Sequence, residues 1–247
     1  MLLTYFDNEN SGPVVLLIHG TASANQMWER QYKLFTENSF RVIGVDLRGH
    51  GNSINPGGPC TTSDHIGDLK ETIDHLKIQE PITIVGHSLG AILAVAFAEI
   101  YPELVSKLLL VSLPPRIPKI LLTYYKWLLG KPVEFLKSKI DIILKLPIKK
   151  RYKRVVSTDL NIVREILKDS HSWDLITKVP KIRCPIHFLV GRFDYIALYG
   201  MVKKLHKELP NSTLTLFKWA SHTCMEDMPR EFNKWVISTI IAQPVHS

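Results

Sequence analysis

A strand that becomes a helix within a few residues, with glycine on both sides of the join, leaves a chain few ways to fold. Ile82-Thr83-Ile84-Val85 is a β-branched run that reads as a buried strand. Leu89-Gly90-Ala91-Ile92-Leu93 opens an apolar, alanine-rich helix running to about Tyr101. Gly86-His87-Ser88-Leu89-Gly90, a Gly-x-Ser-x-Gly pattern, sits between them. So abrupt a turn forces Ser88 into strained backbone geometry. Gly86 and Gly90 lack the Cβ atoms that would clash as the chain doubles back. The predicted result is a serine hydroxyl lifted clear of the sheet at a helix N-terminus, whose dipole favours an anion.

The surrounding pattern is that of one α/β domain. Val14–Ile18 is a continuous apolar run, as expected of a parallel strand buried on both faces, and Leu108–Val111 reads as another buried strand; Arg41–Val45, Ile186–Val190 and Thr213–Phe217 read as further strands. Met1–Phe6 reads as a short edge strand. Helical segments alternate with these strands, which implies a mostly parallel sheet with helices on both faces. One helix, capped by Ser63 or Asp64, shows Ile66, Leu69, Ile73 and Leu76 at a 3.6 period; another opens at Pro229. Between Leu113 and Pro180 no comparable strand occurs. The expected organisation is therefore a core in two parts, residues 1–112 and 181–247, with a helical cap over 113–180. At 247 residues and 45% hydrophobic content the chain can bury a sizeable core. Cys60, Cys184 and Cys224 have no metal-like spacing and read as reduced thiols in a cytoplasmic setting. The N-terminus lacks the basic region of a signal peptide, and no apolar run is long enough to span a membrane.

A serine hydroxyl becomes a useful nucleophile only when a base takes its proton and a third group holds that base. In a parallel sheet the partners should follow later strands, because loops at the carboxyl ends gather above one edge. Asp194 lies four residues past the Ile186–Val190 run, and His222 five past Phe217. The predicted catalytic set is Ser88, Asp194 and His222, with His50 as second choice for the base and Asp227 as a weaker rival acid. His19 reads as a structural hydrogen-bonding residue. Acyl transfer also needs two donors at the developing oxyanion. The expected pair is the backbone N–H of Leu89 and that of Thr21. Trp28, Tyr124, Tyr125 and Met225 are candidate pocket residues, although core packing is the default for Trp28 and Met225. No metal site, nucleotide site or cofactor is expected.

Taken together, His19-Gly20, Asp46-Leu47-Arg48-Gly49-His50-Gly51-Asn52-Ser53, Gly86-His87-Ser88-Leu89-Gly90, Gly191-Arg192-Phe193-Asp194 and Ser221-His222 resemble the α/β-hydrolase superfamily in order and spacing. The resemblance covers nearly all of the chain outside 113–180. It implies a serine esterase-like fold with a variable cap over the site. Ser88 in place of an aspartate speaks against the epoxide-hydrolase and haloalkane-dehalogenase branches. The expected activity is hydrolysis of a carboxylic ester or thioester through an acyl-enzyme. A slowly turning-over ligand receptor is the alternative from another class, and a carbon–carbon hydrolase or cofactor-free perhydrolase the alternative within enzymes.

Charge narrows the partners. The net charge is +8, yet residues 113–180 alone hold 15 Lys and Arg against 6 Asp and Glu. The surplus is densest at Lys149-Lys150-Arg151-Tyr152-Lys153-Arg154. A solvated helical face is the default reading, and attraction of anionic partners the functional one. The expected partner is a small ester or acyl thioester, anionic or carrier-linked. No nucleic-acid motif accompanies the basic charge. An anionic membrane surface ranks lower, because no strongly apolar exposed anchor is evident in the sequence.

Overall fold

The structure, a computed structural model, describes residues 1–116, 123, 139, 154, 158–169, 175 and 179–242. The strands are β1 (Tyr5–Asp7), β2 (Val14–Ile18), β3 (Arg41–Val45), β4 (Ile82–His87), β5 (Val105–Val111), β6 (Ile186–Gly191) and β7 (Ser212–Phe217). They form one sheet in the order β1-β3-β2-β4-β5-β6-β7. Only β1 is antiparallel, pairing with β3; the other pairs are parallel. Each apolar run identified in the sequence forms one of these strands.

Alternate residues of each strand feed opposite layers, as the two-residue period requires. Val15, Leu17, Val85, Leu109 and Leu189 pack with Trp28, Phe35, Phe232 and Val236. This layer lies under α1 (Glu29–Glu37) and the C-terminal helix (Pro229–Ile241). Leu16, Ile18, Ile84, Leu108 and Phe188 pack on the other face. There they meet α2 (Thr62–His75), α3 (Leu89–Ile100), α4 (Leu160–Lys168) and α5 (Tyr199–Lys207). A single-turn helix, α6 (Cys224–Asp227), and the longer α7 (Pro229–Ile241) complete the order. Lys107, buried on β5, donates to the carbonyls of Thr239, Ile240 and Ala242 at 2.8–2.9 Å and so caps α7. A cation at a helix C-terminus satisfies orphan carbonyls and complements the dipole.

The start of α2 differs from the expectation. Thr61, not Ser63 or Asp64, is the N-cap. Its hydroxyl accepts from the Asp64 N–H, and the Asp64 carboxylate accepts from the Thr61 N–H, a reciprocal capping box. Asp64 therefore serves at the third helical position. Ile66, Leu69 and Ile73 are buried as the period predicts.

Most of residues 113–180, including Tyr124, Tyr125 and Lys149–Lys153, lies outside the described residues. Its described helix α4 has Ile162, Val163, Ile166 and Leu167 buried at amphipathic spacing and docks on the core. A Cβ on Gly49 would come 2.2 Å from Ile162 Cγ1, and Gly49 has φ +67°, so glycine alone allows this contact. Asp159 accepts from the Asn55 amide at 2.8 Å, and Asp169 from the Thr62 hydroxyl at 2.6 Å.

Arg48 is tied to Asp68 of α2 by two hydrogen bonds, 2.7 and 2.8 Å, with both side chains nearly buried. Removing one partner of such a pair leaves an uncompensated charge. Asp68→Ala should therefore cost about 3–5 kcal/mol in urea unfolding. A loss below about 1 kcal/mol would show the pair to be solvated.

Candidate active site

The strand order reverses between β2 and β4. β2 leads to β3 on one side, and β4 begins on the other. Ligands in open α/β sheets bind at such a switch point. Ile18 is in register with Gly86, so the loop after β2 emerges beside the turn after β4. A Cβ on Gly20 would fall 2.8 Å from His87 Nδ1 and 3.1 Å from Ser88 Cβ. The two loops thus touch. The turn itself leaves no room for larger residues. A Cβ on Gly86 would lie 2.4 Å from the Gly90 carbonyl oxygen, and one on Gly90 2.2 Å from that of Ile18.

Ser88 has φ 52° and ψ −112°. This conformation costs a residue bearing a Cβ roughly 1–3 kcal/mol. It is held by the Ser88 N–H bond to Val111 at 3.0 Å and by the Ala91 and Ile92 N–H bonds to the Ser88 carbonyl. Leu89 is the first residue of α3, where backbone N–H groups have no acceptor within the helix.

Two later loops bring their side chains to the serine. His222 Nε2 lies 3.0 Å from Ser88 Oγ, and His222 Nδ1 lies 3.0 Å from each oxygen of Asp194. The carboxylate accepts, so Nδ1 carries the proton and Nε2 presents its lone pair to the hydroxyl. Asp194 is nearly fully buried. It accepts the N–H groups of Ile196 and Ala197 at 2.9 and 2.8 Å. Burial works to raise its carboxyl, but the bonds from His222, Ala197 and Ile196 outweigh this and hold it below the ordinary value.

His50 and His19 have both ring nitrogens committed elsewhere. His50 Nε2 accepts the Ala22 N–H at 3.2 Å, and its Nδ1 donates to the Arg48 carbonyl at 3.0 Å. That removes it as second choice for the base. Its work is to fix the loop carrying Thr21. His19 Nε2 accepts the Leu47 N–H at 3.0 Å, and its Nδ1 donates to the Gly20 carbonyl at 2.7 Å. Asp227 accepts both the N–H and the hydroxyl of Ser221, so it anchors the His222 loop. Trp28 and Met225 are fully buried in the layer that contains Phe232, and pack there.

Several supports were not foreseen. His87 Nε2 donates to the His222 carbonyl at 2.9 Å, which fixes the histidine loop from the serine's own turn. Asp46 accepts the N–H groups of Asn25 and Asn52 at 2.7 and 2.9 Å, closing the loops after β2 and β3 on each other. Arg154, the last residue of the basic run, is folded against Glu226 of α6, four residues beyond His222. Only a hydrogen-bonding residue beside the elbow, and a cation beyond the last aromatic of the run, signalled these in the sequence. Among the described residues no group of three or more His, Cys, Asp or Glu could hold a metal ion.

The model of the alpha/beta hydrolase fold family matches residues 13–141, more than half of the chain. The chain belongs to that family. A putative 2-succinyl-6-hydroxy-2,4-cyclohexadiene-1-carboxylate synthase of Bacillus subtilis is 25% identical over 262 residues, covering 93% of this chain and 91% of that protein. An uncharacterised protein of Mycobacterium tuberculosis is 39% identical over 102 residues, 41% of this chain. The match spans only 29% of that relative's length. The solved enol-lactonase of Burkholderia xenovorans LB400 shares the fold, with a TM-score of 0.85 and 22% identity over 97% of this chain and 96% of that one.

The buried histidines make stability depend on acid. Burial is the main cause that pushes His50 down to about 4, His65 and His87 to about 3, and His19 well below its ordinary value. In the unfolded chain they titrate near 6.5. As pH falls from about 6.5 towards 4, the unfolded chain takes up protons that the native one refuses. Stability is complete above this window and should fall within it by about 1.4 kcal/mol per pH unit per histidine. Urea midpoints between pH 7 and 5 measure this, and His65→Gln should remove one histidine's share. A flat profile would contradict neutral burial.

Proposed function

We propose that the chain is a serine hydrolase of carboxylic esters or thioesters that works through an acyl-enzyme. The observation that carries this reading is the unbroken hydrogen-bonded series from Ser88 Oγ through His222 to a buried Asp194. Ser88 Oγ attacks the ester carbonyl while His222 Nε2 takes its proton. The leaving alcohol receives that proton as the C–O bond breaks. Water then attacks the acyl group, again giving its proton to His222, and the acid and free Ser88 are released. Asp194 keeps the Nδ1 tautomer and stabilises the imidazolium. The backbone N–H groups of Leu89 and Thr21 stabilise the oxyanion. We assign the choice of acyl group to the segment 113–180, with Tyr124 and Tyr125 as the residues to substitute in testing it. The partner is a small ester, and the basic charge of that segment favours an anionic one.

The Burkholderia structure is that of an enol-lactonase, and a lactone is a cyclic ester, which is compatible with this chemistry. Turnover of short-chain p-nitrophenyl esters tests it. Ser88→Ala, His222→Ala and Asp194→Asn should each lower kcat by at least about 10⁴-fold. Anionic esters should lose rate as salt rises past the screening range of about 10 Å, while neutral ones should not. Tight ligand binding with no turnover of esters or thioesters would replace the enzyme by a receptor. Cleavage of a carbon–carbon bond, or peracid formation, in place of ester hydrolysis would move the chain to another reaction on the same residues.

A further inference from the structure

At the end of the sheet beyond the Ser88–His222–Asp194 contact, the loops after β6 and β7 expose a cluster of large apolar side chains. Trp219 is 76% exposed, Tyr195 64%, Phe193 57% and Leu198 43%. The Phe193 and Trp219 ring centroids are 6.4 Å apart. The two loops form one rigid unit. The Arg192 N–H donates to the Phe217 carbonyl at 2.9 Å, and the Phe193 N–H to that of Ala220 at 3.0 Å. Scattered apolar residues on a surface need no explanation, but an exposed Phe193–Trp219 ring pair, with exposed Tyr195 two residues beyond Phe193, does.

The two loops that carry these rings are basic, and the nearest carboxylates are engaged: Asp194 with His222, and Asp227 with Ser221. Arg192 and Lys218 are exposed beside the rings. On the first turns of α5, which starts directly after Leu198, Lys203 is exposed and its Nζ lies 5.8 Å over the Tyr199 ring. Across residues 191–207 and 217–222 the sole carboxylate is Asp194, buried against His222. We propose that this patch is an interfacial binding surface for anionic lipid, with Trp219, Tyr195 and Phe193 at the headgroup level and the surrounding cations on the lipid phosphates and carboxylates. Amphipathic rings favour that depth, and cations near an anionic surface add affinity. A second copy of the chain is the poorer occupant, since a two-fold contact would set each copy's cations against those of the other. No described helix is long and apolar enough to cross a membrane, so this contact lies on the surface. It supplies the exposed anchor that the sequence did not reveal, on the core instead of the cap.

Sedimentation with vesicles tests the proposal, independently of whether the chain hydrolyses esters. The full chain should partition onto equimolar phosphatidylcholine–phosphatidylserine vesicles and not onto phosphatidylcholine alone. Arg192→Gln with Lys218→Gln should weaken partitioning roughly 30-fold. Phe193→Ser with Tyr195→Ser and Trp219→Ser should weaken it by roughly tenfold or more. Brominated lipid should quench the wild-type tryptophan fluorescence, and Trp219→Phe should remove that quenching. The quenching and the charge variant carry the test if the triple variant does not fold. Equal binding to both vesicle types, or quenching that survives Trp219→Phe, would overturn the proposal. So would a dimer in sedimentation velocity that Trp219→Ser abolishes, which would give the patch to a second copy. Loss of binding only when Lys149, Lys150, Arg151 and Lys153 are neutralised would move the contact to the basic segment.

Discussion

Everything at this site depends on how closely the turn after β4 approaches the end of β2. Glycines 86 and 90 meet backbone carbonyls where any side chain would collide. That contact fixes the position of α3, and α3 fixes Ser88 at φ 52°. The strain at one residue is small against the burial around it, since Leu89 and residues 91–98 of α3 are packed into the core. The fold can therefore hold a serine in a conformation it would leave if free. The hydroxyl stands at the crevice where the strand order reverses, with a helix N-terminus behind it.

A second tier of hydrogen bonds holds the loops around that serine. His19 and His50 each use one ring nitrogen to accept and the other to donate, so both hold fixed neutral tautomers. Together with Asp46 they tie the Gly20–Ala22 loop to the loop after β3. His87 and Asp227 hold the His222 loop at adjacent residues, His87 through the His222 carbonyl and Asp227 through the Ser221 N–H. The arrangement is preorganised: the His222 ring that meets Ser88 is held by Asp194, and its loop by side chains that do not touch the Ser88 hydroxyl. Such support is what keeps reacting groups within a fraction of an ångström of a useful geometry.

The central strands were legible because parallel strands covered on both faces read as continuous apolar runs, as in β2 and in Leu108–Val111 of β5; the edge strand β7 was legible from its β-branched and aromatic residues. Ser88, Asp194 and His222 were legible because each follows a strand end by only a few residues, so topology alone gathers them. The cap of α2 was misplaced by two or three residues, because Thr61 and Asp64 act reciprocally and either alone looks sufficient. The role of the Asp46–Ser53 segment was not legible. Its partners Ala22, Asn25 and Asp68 are about 20 or more residues away, and no local pattern carries such contacts. Exposure of Phe193 and Trp219 was equally hidden, since aromatic residues beside a strand are ordinarily read as core.

The central claim is that Ser88 is a nucleophile activated by His222. Labelling with a fluorophosphonate, followed by mass spectrometry of the digested protein, tests it most directly. The account predicts one equivalent of phosphonate on the peptide containing Ser88, with ester turnover lost in step. It predicts no label in Ser88→Ala and greatly slowed labelling in His222→Ala. A wild-type chain that hydrolyses esters while Ser88 stays unlabelled, or label carried on another residue, would contradict it.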